Sequence, residues 1–315
     1  MSFLLADIGG TNTRCAITLA DGKIANIESF KNSDFSDLAS LLESYLGGAA
    51  AEKKPDQAIL AVAAPIRGDT VNMINIDWQF STSTLQNRLE LKQLQLLNDF
   101  EALASALPEF SNDNLLQIGS GTSETDKPKS VIGPGTGLGV AGLIRVDNTW
   151  RSISGEGGHV SLPAANPEEA RIIMRVQERY GHCSAERLIS GPGLSLLDSI
   201  LHDSDAVPAD EISRLAVQGD RKANASLEAF FQLLGSVAAN LALTFGAFGG
   251  VYIGGGIIPR HAEKFSTSGF RERFEAKGRY GDYLASIGTY LIVAQNPTLM
   301  GLAARACNSK SYSGY

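Results

Sequence analysis

Cysteine is scarce. The chain has three in 315 residues, Cys15, Cys183 and Cys307, too few and too widely spaced for a disulfide framework or a cysteine-based zinc site. That scarcity fits a reduced, cytoplasmic setting. Basic clusters are missing too: 27 Lys and Arg stand against 34 Asp and Glu, a net charge of −7. With no basic run, nucleic acid and anionic membrane are excluded as expected partners. No basic segment precedes the first apolar residues, and Asp7 cuts that apolar run short, so the sequence predicts no signal peptide.

Charge is also missing from the whole stretch 229–259, which is long enough to span a bilayer. Yet Gly246, Gly249, Gly250 and Gly254 to Gly256 interrupt its second half. In and just before its first half, Leu227, Phe230, Phe231, Leu234, Val237, Leu241 and Phe245 fall on one helical face. The pattern predicts a buried helix followed by a short core strand at Val251-Tyr252-Ile253, not a membrane span.

Glycine, by contrast, is plentiful at 33 residues, and 43% of the chain is hydrophobic. That length and composition allow two lobes with a sizeable core. The first glycines interrupt two strand-like runs, Phe3-Leu4-Leu5-Ala6 and Arg14-Cys15-Ala16-Ile17-Thr18-Leu19. The connection Asp7-Ile8-Gly9-Gly10-Thr11-Asn12-Thr13 reads as a hairpin. Its backbone amides and hydroxyls suit a polyphosphate, and its one carboxylate suits the accompanying Mg²⁺. An ordinary hairpin turn explains the same residues. About 125 residues later, Val131-Ile132-Gly133-Pro134-Gly135-Thr136-Gly137-Leu138-Gly139-Val140 repeats strand, Gly/Thr turn and strand, which suggests a duplicated lobe. A dinucleotide fingerprint also matches at Gly137 to Gly142, but the glycines lead into an alternating β run instead of a helix, so that match is set aside.

Other elements follow from spacing. Residues 23–30 suit a third strand, 37–46 a helix closed by Gly47-Gly48, 57–64 a buried strand and 83–91 a helix. A strand at 94–97 runs into Asn98-Asp99, ahead of a helical pattern, which places both residues at a strand-to-helix junction. Such junctions gather ligand groups in α/β folds, although Asn and Asp also cap helices there. Residues 111–129 are polar and read as a crossing between lobes. Gly155-Glu156-Gly157-Gly158-His159 sets an acid and an imidazole in a glycine loop. A helix spans 168–180, and Glu186 follows in Ser184-Ala185-Glu186-Arg187. Ser190-Gly191-Pro192-Gly193 reads as a tight turn. Gly254-Gly255-Gly256 allows a bulky group to lie on the backbone, or forms a packing corner.

Taken in order, these words from Asp7 to Gly256 resemble the bacterial ATP-dependent glucokinases of the hexokinase/actin-like ATPase superfamily. The resemblance runs from Leu5 to about Gly301 and includes Phe248-Gly249-Gly250-Val251 and Ser190-Gly-Pro-Gly-Leu194. It implies a two-lobed α/β fold, actin-like and ribonuclease H-like, with a cleft between a small domain (1–110, joined by a returning helix at about 296–315) and a large one (111–295). It implies Asp99 as general base, with Asn98, Glu156, His159, Glu186 and, on the sugar side, Asn75 and Trp78 around glucose. Ala6, Asp7, Ile8, Gly9, Gly10, Thr11, Gly135, Thr136 and Gly137 would contact the ATP phosphates, and Gly254 to Gly256 the adenosine. It further implies a cytoplasmic homodimer. Gly133 stands where actin-like relatives often keep an Asp, which leaves Asp7 to order Mg²⁺ indirectly. The zinc-binding cysteines of the ROK sugar kinases are absent, since only Cys183 lies near 180–191. The expected reaction is transfer of the γ-phosphate of ATP to the glucose 6-hydroxyl. A kinase for another hexose or an N-acylated amino sugar, and a non-catalytic sugar sensor, are the alternatives.

Overall fold

In the computed structural model, described for residues 2–19, 21–51, 54–73 and 76–309, the N-terminal apolar run forms strand β1 (Phe3–Ile8). A tight connection leads to β2 (Asn12–Thr18), with Ile8 opposite Thr13. Side chains alternate across a strand, so Leu4, Ala6 and Ile8 enter one core while Phe3 and Leu5 enter another. Strands β3 (Ile24–Lys31), β4 (Gln57–Val62) and β7 (Gln93–Asn98) complete a sheet of order β3-β2-β1-β4-β7, with β5 (Thr70–Asn72) and β6 (Gln79–Ser81) forming a separate ribbon. β1, β4 and β7 are parallel, and β2 and β3 antiparallel. Both faces are covered: helix Leu38–Gly47 packs on one, and Asp99–Ala106 with Pro297–Ser309 on the other. The first helix starts at Asp37, whose carboxylate accepts from the Ser40 amide, and closes at Gly48.

A second sheet repeats that plan. It comprises β8 (Leu115–Gln117), β9 (Lys129–Pro134), β10 (Leu138–Val146), β11 (Thr149–Gly155), β12 (Val251–Ile253) and β13 (Thr289–Ile292), in the order β11-β10-β9-β12-β13-β8. Here too an antiparallel three-strand meander is extended by parallel strands on its first member; β8 then adds one antiparallel edge. The echo between the two glycine hairpins therefore extends to the whole sheet. Leu138 to Gly142, directly after Gly137, form the start of β10, as the alternating β reading requires.

Contacts divide the chain into two compact units, Met1–Ser111 with Ala294–Tyr315, and Asn112–Val293. The uncharged stretch becomes the end of helix Arg221–Phe245 followed by β12. Phe230, Phe231, Leu234 and Val237 are buried in the second unit's core, where Phe231, Phe265 and Phe270 meet ring to ring. The helix has the length and apolarity to cross a membrane, but its apolar face is spent on protein.

Two expectations are corrected. Ser190-Gly191-Pro192-Gly193 does not form a tight turn; it opens helix Gly191–His202. Ser190 Oγ accepts from the Gly193 amide at 3.0 Å, and Pro192 sits in the first turn, where its missing N–H costs nothing. Trp78 does not stand free for a sugar. It is buried beside Val71, Met73 and Leu85 in the core of the first unit.

Candidate active site

Asp7 and Asp99 lie at one edge of the first sheet because β1, β4 and β7 are parallel and end together. Register pairs Asp7 with Ala61 and Ala61 with Leu97, one residue before Asn98. Helix Asp99–Ala106 begins there, and Asn98 caps it, its Oδ1 accepting from the amides of Phe100 (2.9 Å) and Glu101 (3.3 Å). The capping reading of Asn98 is met by its side-chain carbonyl oxygen, and the side chain also hydrogen-bonds Asp99.

Burial pushes the Asp99 carboxyl up to about 6. The Phe100 amide, which donates to its Oδ1 at 2.9 Å, opposes this, and the nearby Asp7 charge adds to it. Asp7 is raised as well, by burial first, against Arg14 and a hydrogen bond from Thr298. Arg14 Nη1 stands 3.7 Å from Asp7 Oδ2.

The first glycine loop is braced by a residue that local sequence gives no reason to notice. Asn32 is 1% exposed. Its Nδ2 donates to Gly9 O (2.8 Å), its Oδ1 accepts from Thr13 Oγ1 (2.8 Å), and its amide donates to Thr11 O (2.9 Å). Gly10 and Thr11 stay open at the tip of this frame. The partners are 19 to 23 residues away, so no spacing rule signals them.

In the second unit, Gly135 to Gly137 form the turn between β9 and β10. Gly191 donates to Gly135 O at 2.8 Å, and Glu186 Oε2 accepts from the Leu138 amide at 2.9 Å. His159 Nε2 lies 3.8 Å from the same oxygen. Glu156 is exposed and precedes the short turn Gly157–His159. That turn is stitched to the Glu186 segment: the Ala185 amide donates to Val160 O at 2.9 Å, and the Leu162 amide to Cys183 O at 3.0 Å. His159 and Glu186 are therefore brought together, with the Gly135–Gly137 turn beside them.

A pocket of about 570 Å³ opens next to that turn, lined by Gly135, Thr136, Gly191, Ser195, Ile257 and Arg260 among others. Of the three consecutive glycines, Gly256 lines it. The Gly254 amide is spent on Ile132 O (2.8 Å), and a side chain at Gly255 would run into the Pro134 backbone. Gly255 is the packing corner, and Gly256 the open wall. Asn75 lies outside the described residues.

The family model described as Glucokinase matches residues 4–309. The chain belongs to the glucokinase family. It is 45% identical over 307 residues to the glucokinase of Chromobacterium violaceum, covering 96% of this chain and 88% of that one. It is 45% identical over 315 residues to the glucokinase of Aromatoleum aromaticum, covering 97% and 95%. The crystal structure of a glucokinase from an Antarctic psychrotroph is similar at TM-score 0.87 with 36% identity, over 98% of this chain and 99% of that one. Family membership makes the chain an ATP-dependent hexose kinase, a transferase with ATP as its phosphoryl donor.

Proposed function

We propose that this chain moves the γ-phosphoryl group of ATP to the 6-hydroxyl of glucose, with Asp99 as general base. The observation that carries the assignment is a carboxyl raised to about 6, at the end of a parallel sheet and beside a second carboxylate. A base of that pKa is ionised at neutral pH yet basic enough to take a hydroxyl proton as the bond to phosphorus forms. Asn98 Nδ2, Glu156, His159, Glu186 and Asn75 complete the sugar shell in this reading. A site built to hydrogen-bond particular hydroxyls rejects analogues that lack them by about 10⁴ or more.

In this reading the units Met1–Ser111 with Ala294–Tyr315 and Asn112–Val293 serve as the small and large domains of a two-lobed actin-like fold. The loop Ala6 to Thr11 and the turn Gly135 to Gly137 hold the phosphates, and the pocket bounded by Gly256 takes the nucleoside, beside Gly254 and Gly255. Phosphoryl transfer needs positioning and charge neutralisation more than covalent help, and in this reading the two glycine loops supply the first.

Mg²⁺ fits the donor set. Among the described residues no three His, Cys, Asp or Glu side chains converge, and this cation is usually held by one or two carboxylates together with water and substrate phosphates. Asp7 would hold it through water, and the cation would neutralise charge on the β- and γ-phosphates. The reading also carries a homodimeric, cytoplasmic enzyme. Its test is ADP release coupled to glucose addition on purified protein, with mannose, fructose and N-acetylmannosamine as competing substrates. Turnover highest on glucose supports the proposal, whereas sugar binding without sugar phosphate overturns it.

A further inference from the structure

Glu186 is placed where two loops of the second unit meet, and its two oxygens have different surroundings. Oε2 accepts from the Leu138 amide at 2.9 Å, the first residue after the Gly135–Gly137 turn, and has His159 Nε2 at 3.8 Å. Oε1 has no hydrogen-bond partner among the described residues. A Cβ at Gly137 would come within 2.5 Å of Oε2, so a side chain there would push the carboxylate aside. The helix Ala185–Leu188 that carries Glu186 leads directly into helix Gly191–His202, whose Gly191 amide donates to Gly135 O of the turn at 2.8 Å. On its other side it is joined to the Glu156–His159 segment through the Ala185 amide on Val160 O at 2.9 Å.

We propose that Glu186 is a positioning residue for the phosphate turn as well as a sugar contact, and that through it sugar and nucleotide binding are energetically coupled. The coupling rests on the sugar-shell reading given above; the bracing of the turn does not. A hydrogen bond to a charged acceptor is worth more than a neutral one and fixes the direction of the amide it holds. With Oε2 committed to the Leu138 amide, a sugar hydroxyl on Oε1 fixes the carboxylate plane and with it the turn. Nucleotide then meets a turn whose ordering is already complete, and gains affinity for that reason. Linkage makes the effect reciprocal: the factor by which glucose tightens nucleotide equals the factor by which nucleotide tightens glucose.

Calorimetry with a non-hydrolysable ATP analogue on the sugar-free protein separates bracing from sugar contact. Glu186→Ala weakens the analogue about tenfold, while Glu186→Gln, which keeps an acceptor for the Leu138 amide, stays within about threefold. Both variants lose glucose affinity. In wild type, glucose tightens the analogue, and in Glu186→Ala that factor falls to one. Glu186→Asp, whose shorter side chain draws the carboxylate back from the Leu138 amide, reproduces the nucleotide loss and serves if Glu186→Ala fails to fold. Unchanged analogue affinity in Glu186→Ala, or in Glu186→Asp where the first does not fold, overturns the bracing. Weakened analogue with wild-type glucose affinity in both Glu186→Ala and Glu186→Gln leaves the bracing standing, but overturns the sugar-contact reading and the coupling with it.

Discussion

At the scale of single residues, Asp99 carries the sharpest expectations. Asp99→Asn keeps the acceptor for the Phe100 amide and retains glucose affinity, while kcat falls by about 10³; steady-state kinetics beside glucose titration checks both halves. In wild type, kcat rises as pH climbs through about 6 and levels off above it, because a protonated carboxyl cannot accept the hydroxyl proton. Stability runs the other way. Folding raises this pKa, so the folded chain holds the proton more tightly, and the associated stability is full below about pH 4 and lost as pH rises through 6. Asp99→Asn therefore melts higher than wild type at pH 8 and no higher at pH 4. Asn32 gives a second test. Asn32→Ala strands Gly9 O and Thr13 Oγ1, costing about 1–3 kcal/mol, and raises the KM for ATP several-fold while that for glucose stays put. Thermal melts and paired kinetics read the two effects. The acids and glycines of the candidate site stood out only as an ordered set, since each run by itself also suits an ordinary turn or a helix cap. Asn32 did not, since its three contacts depend on tertiary pairing. Trp78 misled for the reverse reason: a polar neighbourhood in sequence surrounds a ring that folds inward.

At the scale of elements, the contact between helices Asp99–Ala106 and Pro297–Ser309 is set by Gly301, where any Cβ would strike Ala102 O. Two backbones that approach this closely leave no room for a branched side chain. Gly301→Val is expected to cost at least about 1–3 kcal/mol, read as a lower urea midpoint, and to perturb Asp99 through the helix that begins with it. Both hairpins could be read from glycines between β-forming runs, and helix Leu38–Gly47 from its spacing and its closing Gly48. Helix Gly191–His202 could not. Gly-Pro-Gly ordinarily signals a turn, and only the capping hydrogen bond of Ser190 reveals that the turn is the helix's own beginning.

At the scale of the whole molecule, the chain leaves its first unit at Ser111 and returns to it at Ala294. Helix Pro297–Ser309 then covers Phe3, Leu5, Ile59 and Ala61 with Leu299, Leu302 and Ala306. Ending the chain at Val293 exposes that sheet face. Hydrogen exchange then accelerates in β1 and β4, while β9 and β12, whose core lies wholly within 112–293, keep their protection. Equal loss in both sheets would contradict this division of stability. The order of the segments also matters during synthesis. Between residue 106, the end of one covering helix, and residue 297, the start of the other, a ribosome working at ~5–20 residues per second spends roughly 10–40 s. By the end of that interval the segment made second holds its entire core, while the first-made sheet still has one apolar face only partly covered, by helix Asp99–Ala106 alone. The part of the enzyme translated first is thus the part completed last, and a nascent chain of this kind is a natural client for a chaperone that shields apolar surface.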